Sequence, residues 1–149
     1  MADTIREKIL ANIETQLKTI TKANGYNNNI QLVERYKIDA ASVSQLPALF
    51  IYDGVDTLES EQSYAYTRTA SVEIAGWVRS HDNMSVEANL LLGDTHKCIM
   101  ADRTRGGYAM ETKIEMLDFF IGKNKTVGGF IMTLSVLYRT KPDDPFTAA

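Results

Sequence analysis

The sequence predicts an α+β fold in which two α-helices pack on one face of a mostly antiparallel β-sheet. Two observations indicate this class. Apolar residues recur every three or four positions in two segments, one near the N-terminus and one in the middle of the chain, as in amphipathic helices. Several other segments alternate apolar and polar residues, as strands do. Because strands follow one another on either side of the central helix, we expect the order helix, three strands, helix, two strands.

Two helices are predicted from the spacing of their apolar residues. The first runs from about Thr4 to Thr21, and its residues Thr4 and Glu7 have the spacing of a capping box. Its apolar stripe consists of Ile5, Ile9, Ile13, Leu17 and Ile20. The second helix runs from about Met84 to Ala101, with Gly93 near its middle. A glycine there costs about 1 kcal/mol relative to alanine, so we expect another part of the chain to pack close to it.

Five strands are predicted from alternating segments and the turn residues between them. Their approximate bounds are Ile30 to Tyr36, Leu49 to Tyr52, Gln62 to Arg79, Lys113 to Phe120 and Val127 to Arg139. Asp53-Gly54 is interpreted as a turn after the second strand. The third strand would be long for a globular protein, so we expect it to bend, to contain a bulge or to project.

The segments between these elements are expected to be polar loops. The main ones are residues 54 to 63, 103 to 107 and 122 to 126. The chain of 149 residues is expected to form a single domain, residues 1–149, with a flexible C-terminal tail from about residue 141.

Composition restricts the class of protein. The chain is 44% hydrophobic and 23% charged, which is typical of a soluble globular protein. We expect no membrane contact, because no apolar run approaches about 18 residues and the N-terminus lacks the order of a signal peptide. The net charge of -3 does not favour sequence-independent DNA binding, which relies on basic residues. The single cysteine, Cys98, excludes an internal disulfide and fits a reducing compartment of synthesis.

The motifs of catalysis and ligand binding give weak signals. Gly128-Gly129 is not followed by Lys-Ser/Thr and leads into a strand, so it is not a phosphate loop. His96 and Cys98 lie two positions apart on a helix and point to different faces, which disfavours a metal site. We therefore predict no catalytic residue, no metal and no cofactor.

Apolar residues exceed what one face of the sheet requires. Phe130, Met132, Leu134, Val136 and Tyr138 line one face of the last strand. Ile131 and Leu137 lie on its other face, and Trp77 likewise lies opposite the apolar face of its own strand. A covering helix or loop and a subunit interface explain this surplus about equally well.

Two further classes of function stay open. Arg103 and Arg105 beside a Gly-Gly pair could bind phosphate, and with Lys123 and Lys125 they would form a nucleic-acid site. A mobile surface loop is the simpler interpretation of the arginines. A small enzyme or ligand-binding domain would place its pocket between helices and sheet, near Tyr52, Trp77 and His81.

The order of elements resembles that of the tail terminator (tail completion) proteins of tailed bacteriophages. The resemblance is carried by an amphipathic N-terminal helix, the segment "LPALFIYDG" before an acidic stretch, the strand "SVEIAGWVRS", a helix and the terminal strand "GGFIMTLSVLYRT". The strand before the second helix has the family's pattern at Val72, Ile74, Gly76 and Trp77. The similarity extends over about residues 3 to 140.

The resemblance implies a structural protein that catalyses no reaction. Such a protein forms a ring, commonly a hexamer, that ends the tail tube and joins it to the neck or connector protein. DNA passes through the ring without specific binding, and the protein is made in the bacterial cytoplasm before it enters the virion at the tail–neck junction. Another head–tail connector or neck protein is the alternative within this class. The candidate interface residues are Asp56, Leu58, Glu59, Trp77, Arg103, Arg105, Ile131, Leu137 and Phe146.

Overall fold

The computed structural model describes residues 3–36, 45–80, 82–121 and 126–149, and it confirms the α+β class. Its elements, in chain order, are α1 (Ile5–Leu17), β1 (Leu32–Arg35), β2 (Ala48–Glu61), β3 (Tyr66–Arg79), α2 (Met84–Met100), β4 (Glu111–Ile121) and β5 (Val127–Thr140). The strands form one sheet in the order β1-β2-β3-β5-β4. Only the pairing of β1 with β2 is parallel; the other three pairings are antiparallel.

The main core lies between the two helices and one face of the sheet. The face predicted for the last strand is confirmed, because all five of its apolar residues are buried against the helices. The neighbouring strand β3 contributes Ala70, Val72, Ile74 and Val78. The ring of Phe130 lies over Gly76, where a Cβ atom would come within 2.4 Å of the ring. A glycine in β3 is therefore what allows this ring to lie flat in the core.

The prediction of a turn at Asp53-Gly54 is wrong, and residues 54 to 61 of the predicted acidic loop belong to β2. The strand continues because a bulge between Asp53 and Asp56 absorbs one extra residue. Gly54 permits this close approach, since a Cβ there would lie 2.6 Å from the carbonyl oxygen of Ser71. The chain reverses later, where the backbone N–H of Gln62 donates to the Ala65 carbonyl at 2.9 Å.

The start of α1 is capped differently from the predicted reciprocal box. The Thr4 hydroxyl accepts a hydrogen bond from the Glu7 backbone N–H at 3.0 Å, as predicted. The Glu7 carboxylate instead forms an ion pair of 2.7 Å with Arg35 in β1. The backbone N–H of Ile5 donates to the carbonyl of Pro145 at 2.9 Å, so the C-terminal segment satisfies one of the free donors of the helix. This segment is folded into turns.

The connection after α1 is held by a buried carboxylate on α2. Asp94 accepts hydrogen bonds from the backbone N–H and the side-chain amide of both Asn27 and Asn28, at 2.8–3.1 Å. Gly93 is its neighbour, and the expectation of close packing there is wrong, because a Cβ at Gly93 would meet nothing within 4 Å. The close contact at this part of α2 is thus made by a polar side chain.

Candidate interaction surfaces

Asp56 belongs to a polar network inside the fold, which corrects its predicted place in a loop. Its carboxylate accepts a hydrogen bond of 2.6 Å from Arg68 in β3 and another from the hydroxyl of Tyr138 in β5. Arg6 of α1 lies 3.7 Å from the same carboxylate. Burial and the hydrogen bond to Asp56 raise the pKa of Tyr138 well above its ordinary value. The Asp56 side chain therefore ties α1 to three strands and has little surface left for a partner.

The two arginines of the predicted flexible loop have internal partners. Arg103 donates two hydrogen bonds, of 2.8 and 2.6 Å, to the Glu111 carboxylate, which lowers the pKa of Glu111. Arg105 is fully buried at the end of α2 and donates to the carbonyl of Ile99, so its predicted place on an exposed loop is wrong. Burial lowers the pKa of Arg105. Arg105 is therefore not accessible for phosphate binding beside Arg103, and Lys123 and Lys125 lie outside the described residues.

The face of the sheet that points away from the helices carries the predicted surplus of apolar residues. Trp77 packs against Phe120 with ring centroids 4.6 Å apart. The two rings meet because Gly129, which pairs with both residues in the sheet, has no side chain between them. Ile131 and Leu137 lie on the same face and are half-buried. Trp77 also belongs to a small second cluster with Ala48, Phe50, Leu32, Leu46 and Tyr52.

A cluster of exposed apolar residues lies at the β4 edge of the sheet, where no site was predicted. Ile121 is 66% and Phe119 48% exposed, and Leu117 is exposed beside them; Met116 is exposed on the opposite face of the strand. Val86 and Leu90 are also exposed, on α2. Between the start of α2 and the end of β4 lies an open groove of about 550 Å³. We call this surface, formed by the exposed residues of β4 and α2 around it, the β4 groove.

A bulge explains why sequence alternation missed the β4 groove. The register of β4 against β5 shifts between Ile114 and Met116, which reverses the alternation along the strand. Leu117, Phe119 and Ile121 thereby face the helix side of the sheet, at a position that α2 does not cover. The run "EMLDFFI" contained the sequence signal for this surface. Leu117, Phe119 and Ile121 are large apolar residues at the end of an edge strand, where they need a partner.

The second half of β2 is the other exposed part of the sheet. Side chains from Thr57 to Tyr64 are all exposed, including the predicted interface residues Leu58 and Glu59. Phe146, predicted to reach a partner, is 46% exposed at the C-terminal turns. These three residues therefore stay accessible for contacts between proteins.

The titratable groups of α2 do not converge on a ligand. The Cys98 thiol is buried and donates to the carbonyl of Gln16 at 3.1 Å, and burial raises its pKa. His96 is exposed on another side of the helix, and His81 lies outside the described residues. The described residues contain no group of three or more His, Cys, Asp or Glu side chains arranged to hold a metal ion.

Comparison with known proteins identified no family for this chain. A scan against models of protein families gave no match, and a search of curated proteins gave none either. Neither helix in the described ranges combines the length and the apolar character needed to cross a membrane. Inference about function therefore rests on the surfaces described above and on the sequence resemblance.

Proposed function

We propose that this protein is a structural component of a bacteriophage virion. It forms a ring, a hexamer by family resemblance, that caps the tail tube, stops its growth and joins it to the neck or connector protein. The observation that carries the proposal is the β4 groove, an apolar surface at a sheet edge with which no further described strand pairs. Exposed apolar surface next to unpaired strand atoms favours contact with another protein, because both features are costly in water.

The lining of the groove supports a protein contact over catalysis. Its described lining consists of apolar side chains, a glycine and two uncharged polar residues, Ser85 and Asn89. A ligand site normally adds a few converging polar groups that fix orientation, and a reaction needs a positioned base or nucleophile. A surface of this composition is suited to an apolar face of a partner protein.

The asymmetric distribution of these surfaces supports assembly into a ring. The β4 groove and the exposed half of β2 lie on opposite edges of the sheet. A closed ring needs two different, complementary patches on each subunit, which is the heterologous arrangement. The net charge of -3 suits a lumen that lets DNA pass without retaining it.

Microscopy with the tail tube protein of the same phage tests the proposal. We expect wild-type protein to appear as rings in negative stain, free or on tube ends, and mass photometry to count their subunits. The variant Phe119→Asp/Ile121→Asp should fold but cap about tenfold fewer tube ends, because buried charge in an apolar contact is costly.

Ala23→Asp is the matched control, since it adds a carboxylate at an exposed turn away from the β4 groove. It should cap tubes as wild-type protein does. A strict monomer that never joins tube ends would contradict the ring and the tail function together. Capping by the double variant at the wild-type level would remove the groove from the interface.

A further inference from the structure

A second pocket lies at the end of the sheet where α1 begins. Its volume is about 480 Å³, within the range of roughly 300–1,000 Å³ that is usual for small-molecule sites. Its walls come from the start of α1, the paired ends of β3 and β5 and the C-terminal turns. We call it the basic pocket, because its described lining includes Arg6, Arg68 and Lys141 and contains no carboxylate.

Asp56, which is not part of the lining, holds the two arginines of the basic pocket in place. Its Oδ1 atom accepts a hydrogen bond of 2.6 Å from Nε of Arg68, and its Oδ2 atom accepts one from the Tyr138 hydroxyl. Arg6 donates from Nη2 to the Gly54 carbonyl at 3.1 Å, and its Nε atom lies 3.7 Å from Asp56. Both guanidinium groups are therefore anchored before a ligand arrives, which lowers the entropy cost of binding.

The anchored arginines keep donors for a ligand. Arg68 contacts Asp56 through Nε, so the Nη1–Nη2 edge of its guanidinium group still has N–H groups to donate. The Nε atom of Arg6 is buried without an acceptor at hydrogen-bond distance. Lys141 is exposed at the rim and forms no ion pair with any described residue. An anion in the pocket would give all three side chains an acceptor.

The charges and donors of the basic pocket match a phosphate group better than a carboxylate. The three basic side chains, set against the single negative charge of Asp56, leave a surplus of two positive charges, close to the charge of a phosphate dianion. The donors belong to α1, β3 and the C-terminal turns, so they can surround a tetrahedral ion with several oxygens. A carboxylate has two oxygens in one plane and would leave some of these donors unpaired.

Carboxylates near the basic pocket do not cancel this surplus. Asp144 in the C-terminal turns accepts hydrogen bonds from the Thr147 hydroxyl at 2.6 Å and from the Phe146 backbone N–H at 3.0 Å. Asp3 and Asp143 are exposed and do not belong to the described lining. Water and salt screen exposed charges of this kind, so their effect inside the pocket is small.

We propose that the basic pocket binds a phosphate group, either as the free ion or as the terminal phosphate of a small organic molecule. Thr4 caps α1 at the wall of the pocket, so the positive end of the helix dipole adds to the attraction of the arginines. The C-terminal turns form another wall, so a bound phosphate would also hold Lys141 against the start of α1. The site shares no residue with the β4 groove and does not depend on the proposed ring.

Calorimetric titration of the full-length protein with inorganic phosphate tests this site. At an ionic strength kept constant with sodium chloride, wild-type protein should bind one phosphate per chain with a saturable heat. Lys141→Gln should weaken the binding about two- to fivefold, because it removes one exposed charge. Arg68→Lys keeps the charge beside Asp56 but loses the guanidinium edge, so it should weaken the binding about tenfold or more.

Lys113→Gln is the matched control, because it removes an exposed lysine on β4 that does not line the basic pocket. It should bind phosphate as wild-type protein does. Equal weakening in Lys113→Gln and Lys141→Gln would overturn the site, since phosphate would then respond only to overall charge. The absence of saturable binding up to about 10 mM phosphate would overturn it as well. Circular dichroism checks the fold of each variant, and Lys141→Gln carries the test if Arg68→Lys does not fold.

Three further ligands identify the source of the phosphate group. Tighter binding of adenosine monophosphate than of inorganic phosphate would indicate a phosphate ester, and the reverse order would indicate the free ion. Acetate that binds as tightly as phosphate would overturn the assignment, because the pocket would then fit an acidic side chain of a partner protein. Displacement of phosphate by a short single-stranded oligonucleotide would also overturn it, because the pocket would then hold a nucleic-acid backbone.

Discussion

The two helices carry similar apolar patterns, yet they meet the sheet in different ways. In α1 the apolar stripe is completely covered, and Ile13 has no exposed surface. In α2 the first turns leave Val86 55% exposed and Leu90 also accessible. Both residues are sequence neighbours of Ser85 and Asn89, which line the β4 groove. An amphipathic pattern thus identifies a helix, but it does not show which apolar residues of the helix stay exposed.

Alanine substitutions on the two helices test this comparison most strongly. Ile13→Ala should lower the free energy of unfolding by about 2–5 kcal/mol, because it leaves a cavity in a closed core. Val86→Ala should change it by less than about 0.5 kcal/mol, because the side chain is mostly in water already. Denaturant unfolding of both variants measures the contrast. Equal losses would mean that α2 is covered in solution, and the β4 groove would then be closed.

A smaller loss of stability is expected at the contact between α1 and the strands, where Tyr138 and Asp56 lie. Tyr138→Phe removes a buried hydrogen bond and should cost about 1 kcal/mol at neutral pH. Burial and Asp56 raise the folded-state pKa of Tyr138. The full stabilisation from this residue is therefore present at pH values below its ordinary pKa of 10.0. Above that value the unfolded chain loses the proton first, and stability falls as pH rises.

Denaturation midpoints between pH 8 and pH 11 measure this pH dependence. Wild-type protein should lose more stability over the alkaline part of this range than Tyr138→Phe. Subtracting the two curves removes the contributions of Cys98 and Tyr26, whose pKa values are also raised by burial. Parallel curves would show that the Tyr138 hydroxyl is open to water.

Local patterns were sufficient to predict the helices and the core face of β5. The spacing of Ile5, Ile9 and Ile13 and the alternation from Phe130 to Tyr138 are set by residues close in sequence, and both predictions are confirmed. The bulge in β2 was not predictable from the Asp53-Gly54 pair. The same pair forms a turn or a bulge according to what lies opposite, and here that is Ser71.

The burial and contacts of the predicted interface residues depend even more on residues that are distant in the sequence. Arg105 looked exposed because it stands beside two glycines, but the end of α2 encloses it and provides a carbonyl acceptor. Asp56 looked like part of an acidic loop until Arg6, Arg68 and Tyr138 converged on it. Charges of this kind are neutralised by long-range contacts that no local pattern contains. The sequence patterns therefore did not predict these polar contacts, and they also missed the exposed apolar residues at the end of β4.

The smallest expected effect concerns Gly93 on α2 and has the opposite sign. Gly93→Ala should raise the free energy of unfolding by about 0.5–1 kcal/mol, because alanine restricts the unfolded chain and the added methyl group meets no atom within 4 Å. Gly76→Ala is the matched control and should destabilise the fold, since its methyl group would strike the Phe130 ring. Thermal unfolding of both variants measures the difference. No gain from Gly93→Ala would mean that this side of α2 is occupied, for instance by a neighbouring subunit, and the exposed surface would then extend beyond the β4 groove along the helix.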